Sequence, residues 1–445
     1  MSIRILVAGA GHGGLTAAAI LAKNGYDVTV VEKSPLKSIG YDWHDVFTLD
    51  TFDFVDIPRP DPKYLGTYDG DAFCGPEVGG FVPYDNGHDP NTISMDRKVL
   101  INYLIKHCKD CGVKFVFGTE ITEPVMSGPR VIGFSTKGKK GKKTFYGDLV
   151  IDAAGMYSPI RSNLPEKCGI VREFSDSDKI FIYRAYYNKV ECPDFEAQYK
   201  YLVTCYHLGR PGIDWIDVDE DYVDILIGKF GPLTQEEVDE AIADLREHDP
   251  RLGTEVVRGG EFVSIPIGSC IPKIISDGLA IVGDSASMVL PITGSGITAS
   301  MKAGKLLAST VMADADGDYT TETLWSYQYR YFKSIQKDFM PIYMLRKVLT
   351  ALDPDDVRFL FDNIVESRLI NAATGGRVTD IPVSLILEKA IVGLPQAKLM
   401  VNIAKAALST GSGTAVAEKI PSRYEKKAVD AWMKEYGELL GIGNA

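Results

Sequence analysis

The sequence predicts an α/β protein in which a discontinuous parallel-sheet domain is interrupted by an antiparallel β-sheet unit and followed by a helical carboxy-terminal region. Three observations predict it. Residues 3–32 fit a strand, a glycine turn, a small-residue helix and a second strand into one unit. Residues 180–270 alternate in the manner of strands, and residues 278–310 return to a strand, a glycine-rich loop and a helix.

Ile3, Ile5, Leu6 and Val7 read as the first buried strand. Gly9, Gly11 and Gly14 then supply a tight turn, a close backbone approach to a pyrophosphate and close helix–strand packing. His12 and Gly13 lie in the same turn, where the following helix points its positive amino terminus at phosphates. Val28, Val30 and Val31 make the second strand. Glu32 at its end stands where a carboxylate binds the two ribose hydroxyls of an adenosine, and Lys33 and Ile121 are assigned to the same cofactor site. The unit is Rossmann-like, and alone it does not separate NAD from FAD.

A chain of 445 residues needs two or three cores, and its apolar and charged content is that of an ordinary globular protein. A net charge of -12 argues against a nucleic-acid partner, which requires clustered Lys and Arg. Seven scattered cysteines suit a reducing cytoplasm better than a disulfide framework. No metal-ligand spacing is evident. The uncharged run from Ser285 to Met301 is broken by Pro291, Gly294 and Gly296, so the expectation is a soluble chain, peripheral at most to a membrane.

Residues 36–95 read as loops and short strands inserted into the nucleotide fold. Arg97–Asp110 reads as a helix with Val99, Leu100, Tyr103, Leu104 and His107 on one face, followed by a strand at VKFVF. The run KGKKGKK, 137–143, reads as a hairpin tip, and DLVID, 148–152, as another buried strand. A helix is expected at about 234–247. From Tyr319 onward the chain reads as helices punctuated by Pro341, Pro354, Pro382, Pro395 and Pro421. Residues 1–75, 95–165 and 271–315 are therefore assigned to the nucleotide domain, 76–94 and 166–270 to the antiparallel domain, and 316–445 to the helical domain.

Gly9, Gly11, Gly14 and Glu32, then DLVIDAAGMYSPIR at 148–161, then GLAIVGDSASMVLPITGSGI at 278–297, resemble the three fingerprints of FAD-dependent enzymes of the para-hydroxybenzoate hydroxylase fold. That resemblance implies FAD as cofactor, with Asp284 on its ribityl chain, Gly294, Gly296 and Ile297 facing the flavin ring and pyrophosphate, and Arg97 lying along it. Within the fold the chain is most similar to the geranylgeranyl reductase family. RPGIDWIDVDEDYVDILIG, 210–228, occupies the place of that family's Tyr-x-Trp-x-Phe-x-Gly motif, which lines the substrate pocket. Only Trp215 matches, with Ile213, Asp217 and Asp219 at the other motif positions. SIGYDWHDV, 38–46, stands where many of these reductases carry a cysteine beside the flavin.

The resemblance implies reduction of a carbon–carbon double bond in an isoprenoid or lipid-like substrate, which needs a hydride, a proton donor and a dry pocket. A flavin monooxygenase acting on an aromatic substrate is the alternative. His44 and Asp45 are the candidate proton donors, with Tyr41 behind them. Tyr206 and Trp215, with Tyr183, Tyr186 and Tyr201, are candidates to line a hydrophobic pocket. No second glycine-rich nucleotide motif occurs, so electrons are expected from transiently docked NAD(P)H or a ferredoxin-like protein. Cys108 and Cys111 form a CxxC at a helix carboxy end, the wrong end to activate a thiol, and read as packing residues.

Overall fold

The computed structural model describes residues 3–67, 71–84, 91–138, 141–196, 198–375, 381 and 383–441. At its centre is a six-stranded sheet in the order Ile275–Ser276, Leu279–Ile281, Leu149–Asp152, Arg4–Ala8, Asp27–Val31, Lys114–Val116, parallel except at the first pair. Its inner strands are almost wholly buried, which is why they read as continuous apolar runs. Helices His12–Lys23 and Ile297–Ala313 pack backbone to backbone: a Cβ on Gly304 would lie 2.3 Å from the Gly13 carbonyl oxygen.

The helix Arg97–Asp110 forms as expected, capped by the Asp96 carboxylate, which accepts from Val99 N at 3.0 Å. Its buried face is rotated from the expected one and carries Leu100, Ile101, Leu104, Ile105 and Cys108. Ile101 and Ile105 turn inward because Tyr103 and His107 keep polar atoms that favour the rim; the Tyr103 hydroxyl donates to Pro58 O at 2.6 Å. Strands Thr119–Ser127, Arg130–Gly138 and Gly141–Tyr146 form a small antiparallel sheet. Lys139 and Lys140 of the basic run lie outside the described residues.

The second large sheet has seven strands, in the order Leu252–Pro266, Lys179–Lys189, Tyr222–Phe230, Gly212–Val218, Tyr201–Cys205, Asp71–Cys74, Val82–Tyr84. Asp71–Cys74 pairs with Tyr201–Cys205, so this sheet takes up the chain before residue 75, and the first nucleotide-domain segment ends earlier than expected. One face buries Tyr183, Ala185 and Tyr187 against Val238, Ala241 and Leu245 of the helix Gln235–His248. That helix starts with a Thr234–Glu237 capping box, the reason it begins where the sequence suggested. The other face looks toward the nucleotide sheet.

Carboxy-terminal helices follow, among them Thr321–Tyr331, Lys337–Leu349, Pro354–Asn363 and Ala397–Glu418. Pro341, expected between helices, lies inside Lys337–Leu349 just beyond the π-helical turn Phe332–Gln336, whose wider ladder accommodates a missing N–H. Pro382 lies outside the described residues.

Candidate active site

One continuous cavity of about 2660 Å³ runs from the glycine turn, between the two large sheets, to the carboxy-terminal helices. Pockets for a single small ligand occupy roughly 300–1,000 Å³, so this one has room for two ligands end to end.

Its first arm is built from the nucleotide domain. Gly9 has φ +84°, and a Cβ there would lie 2.6 Å from Ala153 O, so the turn closes only with glycine. Glu32 is buried and fixed from both sides: its Oε2 accepts from Ala10 N at 2.9 Å and its Oε1 from Ser34 N at 2.7 Å. Lys33 and Ile121 line the same arm, Lys33 exposed and Ile121 buried. The helices His12–Lys23 and Ile297–Ala313 begin here with glycine at the N-cap, no side-chain cap and no acid in the first turn. Arg97–Asp110, Gln235–His248, Thr321–Tyr331 and Pro354–Asn363 are instead capped by the side chains of Asp96, Thr234, Thr320 and Asp353, whereas Ala397–Glu418 and Lys426–Leu440 also lack a side-chain cap. Two uncapped amino termini facing one cavity leave backbone N–H groups for an anionic ligand.

The side chains fit the same ligand. His12 is driven by burial down to a pKa of about 3, and so is neutral; its Nε2 is buried on the cavity wall without a partner. Asp284 lies beside Arg97 on the wall, its pKa raised by burial and pulled back by the Arg97 charge. Gly294, Gly296 and Ile297 complete the wall at the start of the second helix. An orphaned imidazole, two bare helix termini and a clamped carboxylate at a strand end suit the diphosphate and ribose of a dinucleotide. No cluster of potential metal ligands occurs among the described residues.

At the bend between the arms, Asp45 and Arg97 form a buried bidentate pair. The Arg97 guanidinium also lies over the rings of Tyr41 and Trp43, at 5.6 and 5.3 Å. Burial raises the Asp45 pKa, but the Arg97 charge and hydrogen bonds outweigh it and hold the carboxyl below its ordinary value. Asp45 is therefore ionised and is no proton donor, contrary to the sequence expectation; it orients Arg97. His44 does face the cavity, but burial, then the Arg258 charge, lowers its pKa, so it is a neutral imidazole and a poor acid. It is held by its neighbours: His44 N donates to the Tyr186 hydroxyl at 2.8 Å, and His44 O accepts from Arg184 at 2.9 Å.

The second arm lies over the seven-stranded sheet. Strand alternation places Ile213, Trp215 and Asp217 on the cavity side of Gly212–Val218, with Tyr201 and Asp224 opposite Asp217 on the flanking strands. Trp215 has Arg184 5.0 Å from its ring centre and an indole N–H that finds no partner. Tyr206, in a left-handed conformation at φ +60°, donates to Leu349 O at 2.9 Å and ties the sheet to the helices. Tyr186 and Tyr201 also line the cavity. Tyr183 does not: it lies one face away, in the core against Gln235–His248. Arg184, Asp224 and Asp217 escaped the sequence reading, although the two-residue period counted outward from Trp215 places Asp217 beside it. The far wall carries the apolar side chains of Phe339, Leu345, Leu349, Leu352, Leu360 and Ile364, with Asp338, Arg346 and Lys389 among them.

The Cys108 thiol is buried and donates to Leu15 O at 3.2 Å, and burial pushes its pKa up, as suits a packing residue. No helix among the described residues is long and apolar enough to cross a membrane.

Residues 7–45 match the family model of the NAD(P)-binding Rossmann-like domain, and residues 229–371 that of lycopene cyclase protein. The digeranylgeranylglycerophospholipid reductase of Methanothrix thermoacetophila is 26% identical over 374 residues, covering 82% of this chain and 92% of the relative. That of Sulfolobus acidocaldarius is 24% identical over 385 residues, covering 84% and 83%. In structure, a geranylgeranyl bacteriochlorophyll reductase-like protein of Thermoplasma acidophilum superposes with a TM-score of 0.71 at 19% identity, over 89% of this chain and 99% of that one. A flavoprotein/dehydrogenase of Cytophaga hutchinsonii gives 0.60 at 16% identity, over 92% and 100%, and shares the fold. Fold and site thus define a protein of the flavoprotein fold with a Rossmann-like dinucleotide domain that fits FAD. Within that class the chain is similar over most of its length to the digeranylgeranylglycerophospholipid reductases.

Proposed function

We propose that the protein reduces carbon–carbon double bonds of a long isoprenoid or lipid-like substrate. The observation that carries this reading is the continuity of the cavity, in which an arm suited to a dinucleotide opens directly into an apolar chamber between sheet and helices. The relatives from Methanothrix and Sulfolobus are named as reductases of such a lipid. Bound FAD, once reduced, supplies the hydride. Glu32 holds the adenosine ribose, His12 and the Gly9–Gly14 turn the diphosphate, and Lys33 and Ile121 flank that end. Asp284 and Arg97, the latter oriented by Asp45, hold the ribityl portion, and Gly294, Gly296 and Ile297 abut the ring. Trp215 and Tyr206 line the substrate chamber, and the apolar helices exclude water from it. Electrons arrive from transiently docked NAD(P)H or a ferredoxin-like donor, and the substrate is taken up at the membrane surface.

The test is anaerobic reduction of the holoprotein followed by addition of a geranylgeranyl lipid. Flavin reoxidation and a product heavier by two hydrogens per turnover are expected. Reoxidation that instead requires oxygen, with hydroxylation of an aromatic substrate, would overturn the proposal in favour of a monooxygenase.

A further inference from the structure

We propose that Asp217 is the proton donor of this reaction, delivering its carboxyl hydrogen to one carbon of the double bond. The inference rests on the reductase reading above and names the acid that His44 and Asp45 do not provide.

The geometry places two carboxyl groups side by side in different surroundings. Asp217 and Asp224 are cross-strand partners on the cavity side of the seven-stranded sheet. Asp224 is committed: Arg184 clamps it with two hydrogen bonds, at 3.0 and 2.5 Å, and both side chains are buried. Asp217 has no hydrogen bond or ion pair to any described residue, and its carboxyl opens onto the chamber. One carboxylate is neutralised by an arginine, while the other is desolvated beside a negative neighbour. In such surroundings the carboxyl without a cationic partner is the one that keeps its proton. Burial, then the Asp224 charge, pushes the Asp217 carboxyl up to a pKa of about 7; Asp219 adds to the shift, while Lys200 and Arg184 oppose it. Tyr201, Tyr222 and Trp215 supply the remaining groups around it.

Transfer from Asp217 to the less substituted carbon consumes the π pair in a new C–H bond and leaves positive charge on the more substituted carbon. The electron-rich rings of Trp215, Tyr201 and Tyr222 line the same part of the cavity and would stabilise such a charge. A hydride from the reduced flavin closes the second C–H bond, so the substrate gains two electrons and two hydrogens and the flavin is oxidised by two electrons. The Asp217 carboxylate then recovers a proton from water.

Two measurements on the holoprotein test this. The infrared difference between wild type and Asp217→Asn should contain a protonated-carboxyl C=O stretch at about pH 6 that vanishes by about pH 9, with or without substrate. In single-turnover assays with a geranylgeranyl lipid, Asp217→Asn should slow double-bond reduction by about 10²-fold or more, with unchanged FAD content and unchanged flavin reduction by dithionite. The wild-type rate should fall as pH rises through about 7. Asp217→Glu should recover part of the rate with a displaced pH midpoint, a rescue that a purely structural role would not give. Absence of the infrared band overturns the proposal. So does an Asp217→Asn variant that keeps the wild-type rate and pH profile, and in that case the reductase reading stands. A wild-type protein that reduces no double bond overturns both.

Discussion

Replacing Gly304 with alanine sets two effects of opposite sign against each other, and the structure decides between them. Alanine in a helix interior is favoured over glycine by about 1 kcal/mol. Against this, the new Cβ would stand 2.3 Å from the Gly13 carbonyl oxygen and 3.0 Å from Thr16 Cβ. The nearest atom is backbone in a buried helix pair, so relief requires the helices Ile297–Ala313 and His12–Lys23 to separate by roughly 1 Å. Overpacking of this kind costs about 1–3 kcal/mol, and a rigid neighbour belongs at the upper end, giving a net loss of about 1–2 kcal/mol. The same substitution at Gly411, exposed in the helix Ala397–Glu418 with nothing within 4 Å of the added carbon, should instead gain about 1 kcal/mol. Urea unfolding followed by circular dichroism measures both, and flavin absorbance per chain reports occupancy. Because the strained pair carries both bare helix termini of the cofactor arm, Gly304→Ala should also lose FAD, whereas Gly411→Ala should not. Two variants shifting in the same direction, or a destabilised Gly304→Ala with full flavin, would refute the reasoning.

Arg97→Ala leaves the buried Asp45 carboxylate unpaired, which costs about 3–5 kcal/mol. In the wild type the depressed Asp45 pKa contributes stability above the ordinary carboxylate range that is lost as pH falls through the folded value, so the deficit of the variant should shrink when unfolding is measured at progressively lower pH. His207 is clamped between Asp214 at 2.7 Å and Asp244 at 2.8 Å; burial lowers its pKa, but these two bonds outweigh it and the net shift is upward from 6.5. Its contribution is therefore complete below about pH 6.5 and is lost as pH rises through the raised folded value, and His207→Gln should flatten that limb of the denaturation midpoint against pH. Glu32→Ala should weaken FAD retention during gel filtration; unchanged flavin content would refute the ribose assignment.

What was legible in the sequence was the chemistry done by contiguous backbone. Gly9 and Glu32 stand in a run whose strand–turn–helix pattern points to their place, Asp284 and Gly296 were placed by the resemblance of their run, and all four line one cavity. What was hidden depends on pairing across the fold. Asp45 reads as an acid until Arg97 is brought against it by the pairing of His44–Thr48 with Thr92–Asp96. Tyr183 and Tyr186 lie three positions apart on one strand and so face opposite ways, a distinction that composition cannot make without knowing which face is roofed by a helix. Asp217 looked like the loss of an aromatic motif position, because a carboxyl's role is set by its neighbours, and Asp224 and Arg184 reach it only through the sheet.

The order of strands in the nucleotide sheet also constrains how the protein is made. Arg4–Ala8 lies between partners at Asp27–Val31 and Leu149–Asp152, and the latter is flanked in turn by Leu279–Ile281. A ribosome adding about 5–20 residues per second needs roughly 15–60 s to pass from the first strand to the end of the helix at Ala313. The amino-terminal βαβ unit is complete by Val31, but Arg4–Ala8 lacks its other partner until Leu149–Asp152 is made roughly 7–30 s after it, and until then the nascent chain carries an unpaired apolar strand edge. FAD uptake is thus a late event in biosynthesis, and a chaperone that shields the amino-terminal edge during translation should raise the yield of holoprotein more than added flavin does.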